Sequence, residues 1–237
     1  MDIFTFELET ALAAEGCPLC RAEALDEQRW METFVREGHR DAGVRRRYVA
    51  SRGFCPPHAG LFLEIARERE ALPVVSAACA RLIDEDLACL QGITRRARGS
   101  RWHMVRARRQ PGGCPACRAR ERSAERKRSF FCEALADGSF RSRYAASSGL
   151  CALHFSSAIE EASRHYPAVT ELLLDDWLRR LKALRSGLSE FERKRDHRYR
   201  HEPRGREQQA PIEALRHYAG TTWPPIALPI RGDMPGR

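Results

Sequence analysis

The sequence predicts an all-α fold: duplicated helical-hairpin units, each stapled by a metal ion, packed as a helical bundle. Three observations lead there. Apolar residues recur at helical spacing through most of the 237 residues, and no stretch alternates as a half-buried strand would. A cysteine/histidine pattern occurs twice. Cys17, Cys20, Cys55 and His58 read C-x2-C-x34-C-x2-H, and Cys114, Cys117, Cys151 and His154 read C-x2-C-x33-C-x2-H. Finally, Asp41, Arg45, Arg47, Tyr48, Ala50, Ser51 and Gly53 recur as Asp137, Arg141, Arg143, Tyr144, Ala146, Ser147 and Gly149, all offset by 96. A match extending beyond the ligands indicates internal duplication. The expected domains are 1–100, a first Cys3His helical repeat; 101–200, a second repeat with a basic connecting segment; and 201–237, a short helix and a Pro-rich tail.

The first element is a short amphipathic helix over 3–15, stopped by Gly16. Proline inside Cys17-Pro18-Leu19-Cys20 opens the next helix, where its missing N–H costs nothing. That helix runs to about Glu37 with Leu25, Trp30 and Phe34 inward, and Gly38 ends it. Asp41 is an N-cap candidate. A helix of about 20 residues travels ~30 Å, so closing the first quartet requires 41–53 to return the chain through a short helix plus an extended stretch. A helix from Ala59 to about Arg69 follows the Cys55/His58 turn. Pro73 then opens a long one with a stripe of Val74, Val75, Ala78, Leu82, Ile83, Leu87 and Leu90, running to about Arg98. Residues 101–110 are expected to add a turn of helix before the break at Pro111-Gly112-Gly113. The second copy repeats this order: a helix from Pro115 to about Ala136, a Cys/His turn, a helix to His165 and a long helix from Pro167. A short helix over 211–218 and an extended tail over 221–229 close the chain.

Zinc takes four tetrahedral sulfur and nitrogen ligands, and each C-x2-C or C-x2-H turn supplies two of them. The sequence therefore assigns two structural Zn2+ ions, one to Cys17, Cys20, Cys55 and His58, the other to Cys114, Cys117, Cys151 and His154. A full ligand set leaves no position for a metal-bound water, so no catalytic residue is assigned. Iron–sulfur ligation stands as the alternative cofactor. Arg21 and Arg118 stand where a haem-attachment motif needs histidine. The remaining thiols Cys79, Cys89 and Cys132 read as buried and inert. His39, His103, His165, His197, His201 and His217 share no ligand spacing. The acids Asp84, Glu85, Asp86, Asp175 and Asp176 read as a solvated face or as arginine partners, and the Arg-x-Arg-Tyr segments as braces near the metal through cation–π or hydrogen-bond contacts.

Net charge is +9, and it is uneven. Residues 1–90 carry 11 Arg and 16 acids, whereas 95–128 carry 13 Lys/Arg and 2 acids. The basic block offers a nucleic-acid contact through Arg95, Arg96, Arg98, Arg101, Arg106, Arg108 and Arg109. All but three of the basic residues are arginine, a skew that codon bias also produces. No apolar run reaches the roughly 18 residues of a membrane span. The N-terminus lacks the basic and apolar regions of a signal peptide. A cytoplasmic location with no membrane partner is expected.

The order Cys-Pro-x-Cys, Arg-x-x-Tyr, Gly-Phe-Cys-x-x-His resembles an uncharacterised bacterial family of domain-of-unknown-function type that carries such paired motifs on helical segments. The likeness covers 17–58, and 114–154 with Leu150 standing where Phe54 does. It implies zinc and no established activity. The expected function is that of a non-enzymatic zinc protein acting as an adaptor or regulator through a partner, most simply a protein. Nucleic-acid-binding regulation and iron–sulfur or thiol redox sensing are the alternatives.

Overall fold

The computed structural model describes residues 3–95, 113–199 and 201–220, and among these every regular element is helical. The described residues form ten α-helices: α1 (Ile3–Leu12), α2 (Pro18–Arg36), α3 (Ala42–Ala50), α4 (Pro56–Glu68), α5 (Leu72–Arg95), α6 (Pro115–Ala134), α7 (Gly138–Ala146), α8 (Ala152–His165), α9 (Pro167–Arg193) and α10 (Ala210–Ala219). The all-α expectation holds. The expected turn over 101–110 and the tail over 221–229 lie outside the described residues.

The compact units do not follow the repeats. One comprises Met1–Ala24 with Ala124–Arg237, and the other Leu25–Ser123. The expected division lies at about residue 100. The reason is that α2 and α6 each supply residues to both units. Within the second unit, Asp26 accepts from the Ser123 hydroxyl and Glu27 lies 3.8 Å from Arg120, so the two helices run antiparallel there.

The discontinuous unit packs around Leu8, Leu19, Phe131, Leu135, Phe140, Tyr144, Leu150 and Leu173, all buried. Lys127 is its anomaly. Only 1% exposed, it donates from Nζ to the Ala22 carbonyl at 2.7 Å and sits 3.3 Å from Glu7. The continuous unit packs around Phe34, whose ring centroid lies 5.2–5.8 Å from those of Phe54, Phe62, Tyr48 and Trp30. Phe54 and Phe62 meet Phe34 edge to face and Trp30 stacks on it, arrangements that add to simple area burial.

The matched segments do matched work. Asp41 accepts from the Val44 amide at 2.7 Å, and Asp137 from the Ser139 and Phe140 amides at 2.9 and 3.0 Å. Arg45 donates to the carbonyls of His39 and Arg40, and Arg141 to those of Leu135 and Ala136. These arginines close carbonyls left without intrahelical partners beyond α2 and α6. They brace backbone by hydrogen bonds rather than by cation–π stacking; the arginine nearest the Tyr144 ring is Arg180, from α9. The amide of Val44 draws the Asp41 carboxyl below the usual carboxylate range, and the Ser139 hydroxyl and Phe140 amide do so for Asp137. A folded pKa below the unfolded one stabilises fully above the ordinary value of about 3.9 and is lost as pH falls through the folded value. Asp41→Ala and Asp137→Ala are therefore expected to lower the melting temperature. Asp→Asn, which keeps the acceptor, should remain near wild type at neutral pH and lose the carboxylate's acid dependence in denaturant titrations taken down to about pH 3.

Two expectations about burial fail. Cys79 is exposed, although Cys132 is fully buried as expected; Cys89 has no described side chain. On a helix, apolar neighbours in sequence do not share a face, so Ala78 is buried and Cys79 is not. The α5 stripe also comes uncovered partway along: Ile83 is 57% and Leu87 50% exposed. The acids behave as arginine partners, with Asp86 paired to Arg52 and Asp176 2.6 Å from Arg180.

Gly53 and Gly149, two residues before the third ligand cysteine of each copy, adopt φ of +86° and +76°. A Cβ on Gly149 would fall 2.4 Å from Arg180 Nε. Arg180 cannot easily yield, because it donates to the carbonyls of Ser147, Tyr144 and Ala145. Gly149→Ala is expected to cost about 1–3 kcal/mol in chemical denaturation. Gly60→Ala is the control: it lies inside α4 with nothing within 4 Å of the added carbon, and should stabilise by about 0.5–1 kcal/mol.

Candidate metal centres

All four ligand-bearing turns stand at helix N-termini. Cys17 and Cys114 immediately precede α2 and α6, each opened by proline; Cys55 and Cys151 are the N-caps of α4 and α8. Each capping cysteine places its histidine three residues into the helix. Unpaired amides and the positive end of the helix dipole favour thiolate there.

The eight residues assigned from sequence gather into two groups, but not the expected two. Cys17 and Cys20 meet Cys151 and His154, and Cys55 and His58 meet Cys114 and Cys117. The ligand atoms within each group lie within 4.8 Å of one another. The within-repeat quartets are thus corrected to crossed ones. The cause is distance. The 19 residues of α2 carry the chain roughly 28 Å from its first cysteines. The nine residues of α3 can return only about 13 Å as helix. Cys55 and His58 stay at the far end of α2, where antiparallel α6 begins.

The spacing fits one ion per group. Four ligands around tetrahedral zinc, with Zn–S about 2.3 Å and Zn–N about 2.05 Å, imply S···S near ~3.8 Å and S···N near ~3.6 Å. Cys20 and Cys151 sulfurs lie 3.7 Å apart, and those of Cys55 and Cys117 3.8 Å. His154 Nδ1 lies 3.4, 3.3 and 3.2 Å from Cys17, Cys20 and Cys151. His58 Nδ1 lies 2.9, 3.6 and 3.4 Å from Cys55, Cys114 and Cys117. These separations exclude disulfides, which need about 2.05 Å. Cys17, Cys114 and Cys151 are buried, and Cys20, Cys55 and Cys117 half-buried.

The thiols already share protons unequally. Burial opposes ionisation of Cys114, yet His58 and the amides of Cys117 and Cys55 outweigh it and bring the thiol down to about 6. Burial and the neighbouring Cys55 push Cys117 up to about 12. Cys151 is drawn far down by hydrogen bonds from Cys17 and Cys20, while burial raises Cys17. In each group the surroundings thus lower one thiol and raise another.

With this geometry in view, the family comparison is decisive. A model described as "Family of unknown function (DUF6062)" matches residues 1–224. The chain belongs to that family. No curated protein and no solved structure matches it. Within the match lie both groups and all ten helices, and the family brings no activity with it.

Three features of the sites were not read from the sequence. His154 Nε2 donates to Glu23 Oε1 at 2.8 Å, and His58 Nε2 is paired with Glu27. Both carboxylates come from α2, four residues apart, and that spacing beside a ligand pair was the available signal. The C-cap of α10, Gly220, also packs on the first group: a Cβ there would meet Cys20 and Cys151 sulfurs at 3.2 and 3.6 Å. No sequence pattern announced that contact. His39 joins neither group; its Nδ1 faces the Phe34 carbonyl at 3.4 Å. Of the arginines assigned to nucleic acid, Arg96, Arg98, Arg101, Arg106, Arg108 and Arg109 lie outside the described residues. Arg95 ends α5 without a described side chain. No helix among the described residues is long and apolar enough to cross a membrane.

Proposed function

We propose that each crossed Cys3His group holds a structural zinc ion and that the protein is a non-enzymatic helical scaffold acting through a protein partner. The observation that carries this is the match of both groups to one tetrahedral ion, with all four positions filled by protein. An iron–sulfur cluster places several metal atoms and bridging sulfides between its ligands, and so needs wider sulfur separations than these. A reducing, cytoplasmic setting suits eight described cysteines free of disulfides. A partner role is supported by exposed apolar pairs at corresponding places: Ile83 and Leu87 on α5, Leu174 and Leu178 on α9. The test is elemental analysis of natively purified protein, followed by affinity capture with and without Ile83→Glu and Leu178→Glu. Two zinc ions per chain in a colourless protein, with a capture product lost in the variants, is the expected result. Visible absorbance with iron and sulfide would overturn the zinc assignment.

Nucleic-acid contact is a second reading, supported by the net +11 of residues 95–128. It predicts binding that weakens steeply with salt. Binding indifferent to salt, or none, removes it.

A further inference from the structure

We propose that Glu23 and Glu27 are positioning residues that fix the ring nitrogen by which His154 and His58 hold metal, so that α2 tunes both centres. The inference rests on the metal reading above and deepens it. In both groups the histidine turns Nδ1 toward three sulfurs and Nε2 toward a carboxylate. A carboxylate accepting from Nε2–H holds the proton there, leaves the Nδ1 lone pair for the ion, and makes the imidazole a stronger donor. Both glutamates lie on the Nε2 side of their histidine, as a hydrogen bond to His154 and as a close ion-pair approach to His58, with side chains 19% exposed.

The arrangement does not come from the repeat. Counting from Cys17 and Cys114, the residue matching Glu23 is Arg120 and the one matching Glu27 is Ala124. Thus the turn opening α6 supplies two ligands, Cys114 and Cys117, and no such carboxylate, while α2 serves the histidine of each group. Arg120 instead lies 3.8 Å from Glu27, adding a cation behind the second centre.

The test uses full-length zinc-loaded protein, with chelator competition for affinity and nitrogen-15 NMR of the imidazoles for coordination. Wild type should show both ligand histidines metallated at Nδ1 with a protonated Nε2. Glu27→Ala should weaken the His58 centre by about 10–100-fold and leave the His154 centre unchanged, and Glu23→Ala should do the converse. Glu→Gln at either position keeps an acceptor and should retain Nδ1 coordination with a smaller loss, a rescue that a merely structural role does not predict. Unchanged affinities in the Ala variants, equal losses at both centres, or Nε2 coordination in wild type would overturn the inference. A wild type that takes up no zinc would instead remove the metal reading beneath it, and that is seen before any variant is made.

Discussion

Cys55→Ser combined with Cys114→Ser is expected to remove half of the protein's metal, no more than either substitution alone. Cys17→Ser combined with Cys55→Ser should remove all of it. Pairing within each repeat predicts the opposite: Cys17 and Cys55 would share one ion, and Cys55 and Cys114 would belong to different ions. Elemental analysis of the four variants therefore decides the connectivity without a high-resolution structure. The effect should be large. Structural zinc contributes about 10–16 kcal/mol of apparent binding energy, comparable to or greater than the whole net stability of a domain, about 5–15 kcal/mol. Loss of the ion held by Cys55, His58, Cys114 and Cys117 should melt the Leu25–Ser123 unit. The packing of α1 and α7 around Phe131 should keep a transition of its own, followed by near-UV circular dichroism.

Chain entropy alone favours the wrong answer. Crossed closure forms nested rings, with 62 residues separating Cys55 and Cys117 and 131 separating Cys20 and Cys151. Closing the inner ring first shortens the outer one to roughly half. Within-repeat closure would need two rings of only about 35 residues. At about 0.6 kcal/mol per doubling, the crossed arrangement costs roughly 1–2 kcal/mol more. That is small beside the α2–α6 contacts: the Lys127 hydrogen bond to Ala22, the Ser123–Asp26 bond and the Glu27–Arg120 approach. Side-chain packing between two helices outweighs sequence proximity.

This difference in scale explains what was legible. Helix starts were readable because proline and cysteine fix them locally: Pro18, Pro115 and Pro167 each open an element where expected, and Pro56 opens α4 three residues ahead of the expected Ala59. The caps at Asp41 and Asp137 were readable for the same reason. Ligand identity was readable from spacing alone. Ligand partnership was not, because C-x2-C joins C-x2-H through tertiary geometry, and either copy's pair satisfies the same chemistry. The length of α2 against α3 did hold the clue. The strained return that within-repeat closure demanded was a sign that the closure lay elsewhere. Glu23 and Glu27 escaped notice because acids four residues apart on a helix are common on solvated faces. Their role appears only once two histidines are brought to that face.

Lys127→Ala should be the most damaging substitution outside the metal ligands, at about 3–5 kcal/mol in urea or guanidinium titration. Its ammonium is the most deeply buried charge among the described residues, 1% exposed, donating to the Ala22 carbonyl and lying 3.3 Å from Glu7. Truncation removes a buried cation from beside a carboxylate whose side chain is 10% exposed, opens a cavity beneath α1, and leaves Ala22, at the first metal-bearing end of α2, without its cross-helix donor. Lys127→Met refills the volume but not the charge, and should recover only part of the loss. Glu7→Gln with Lys127→Met removes both charges and should approach wild type, since replacing a buried pair with well-packed neutral groups is often close to neutral. A double mutant no better than Lys127→Ala would show that the hydrogen bond to Ala22, rather than the charge pair, holds α6 to α2. In that case the zinc affinity of the Cys17/Cys20 centre should fall together with stability, because Ala22 lies two residues beyond Cys20 on the same helix.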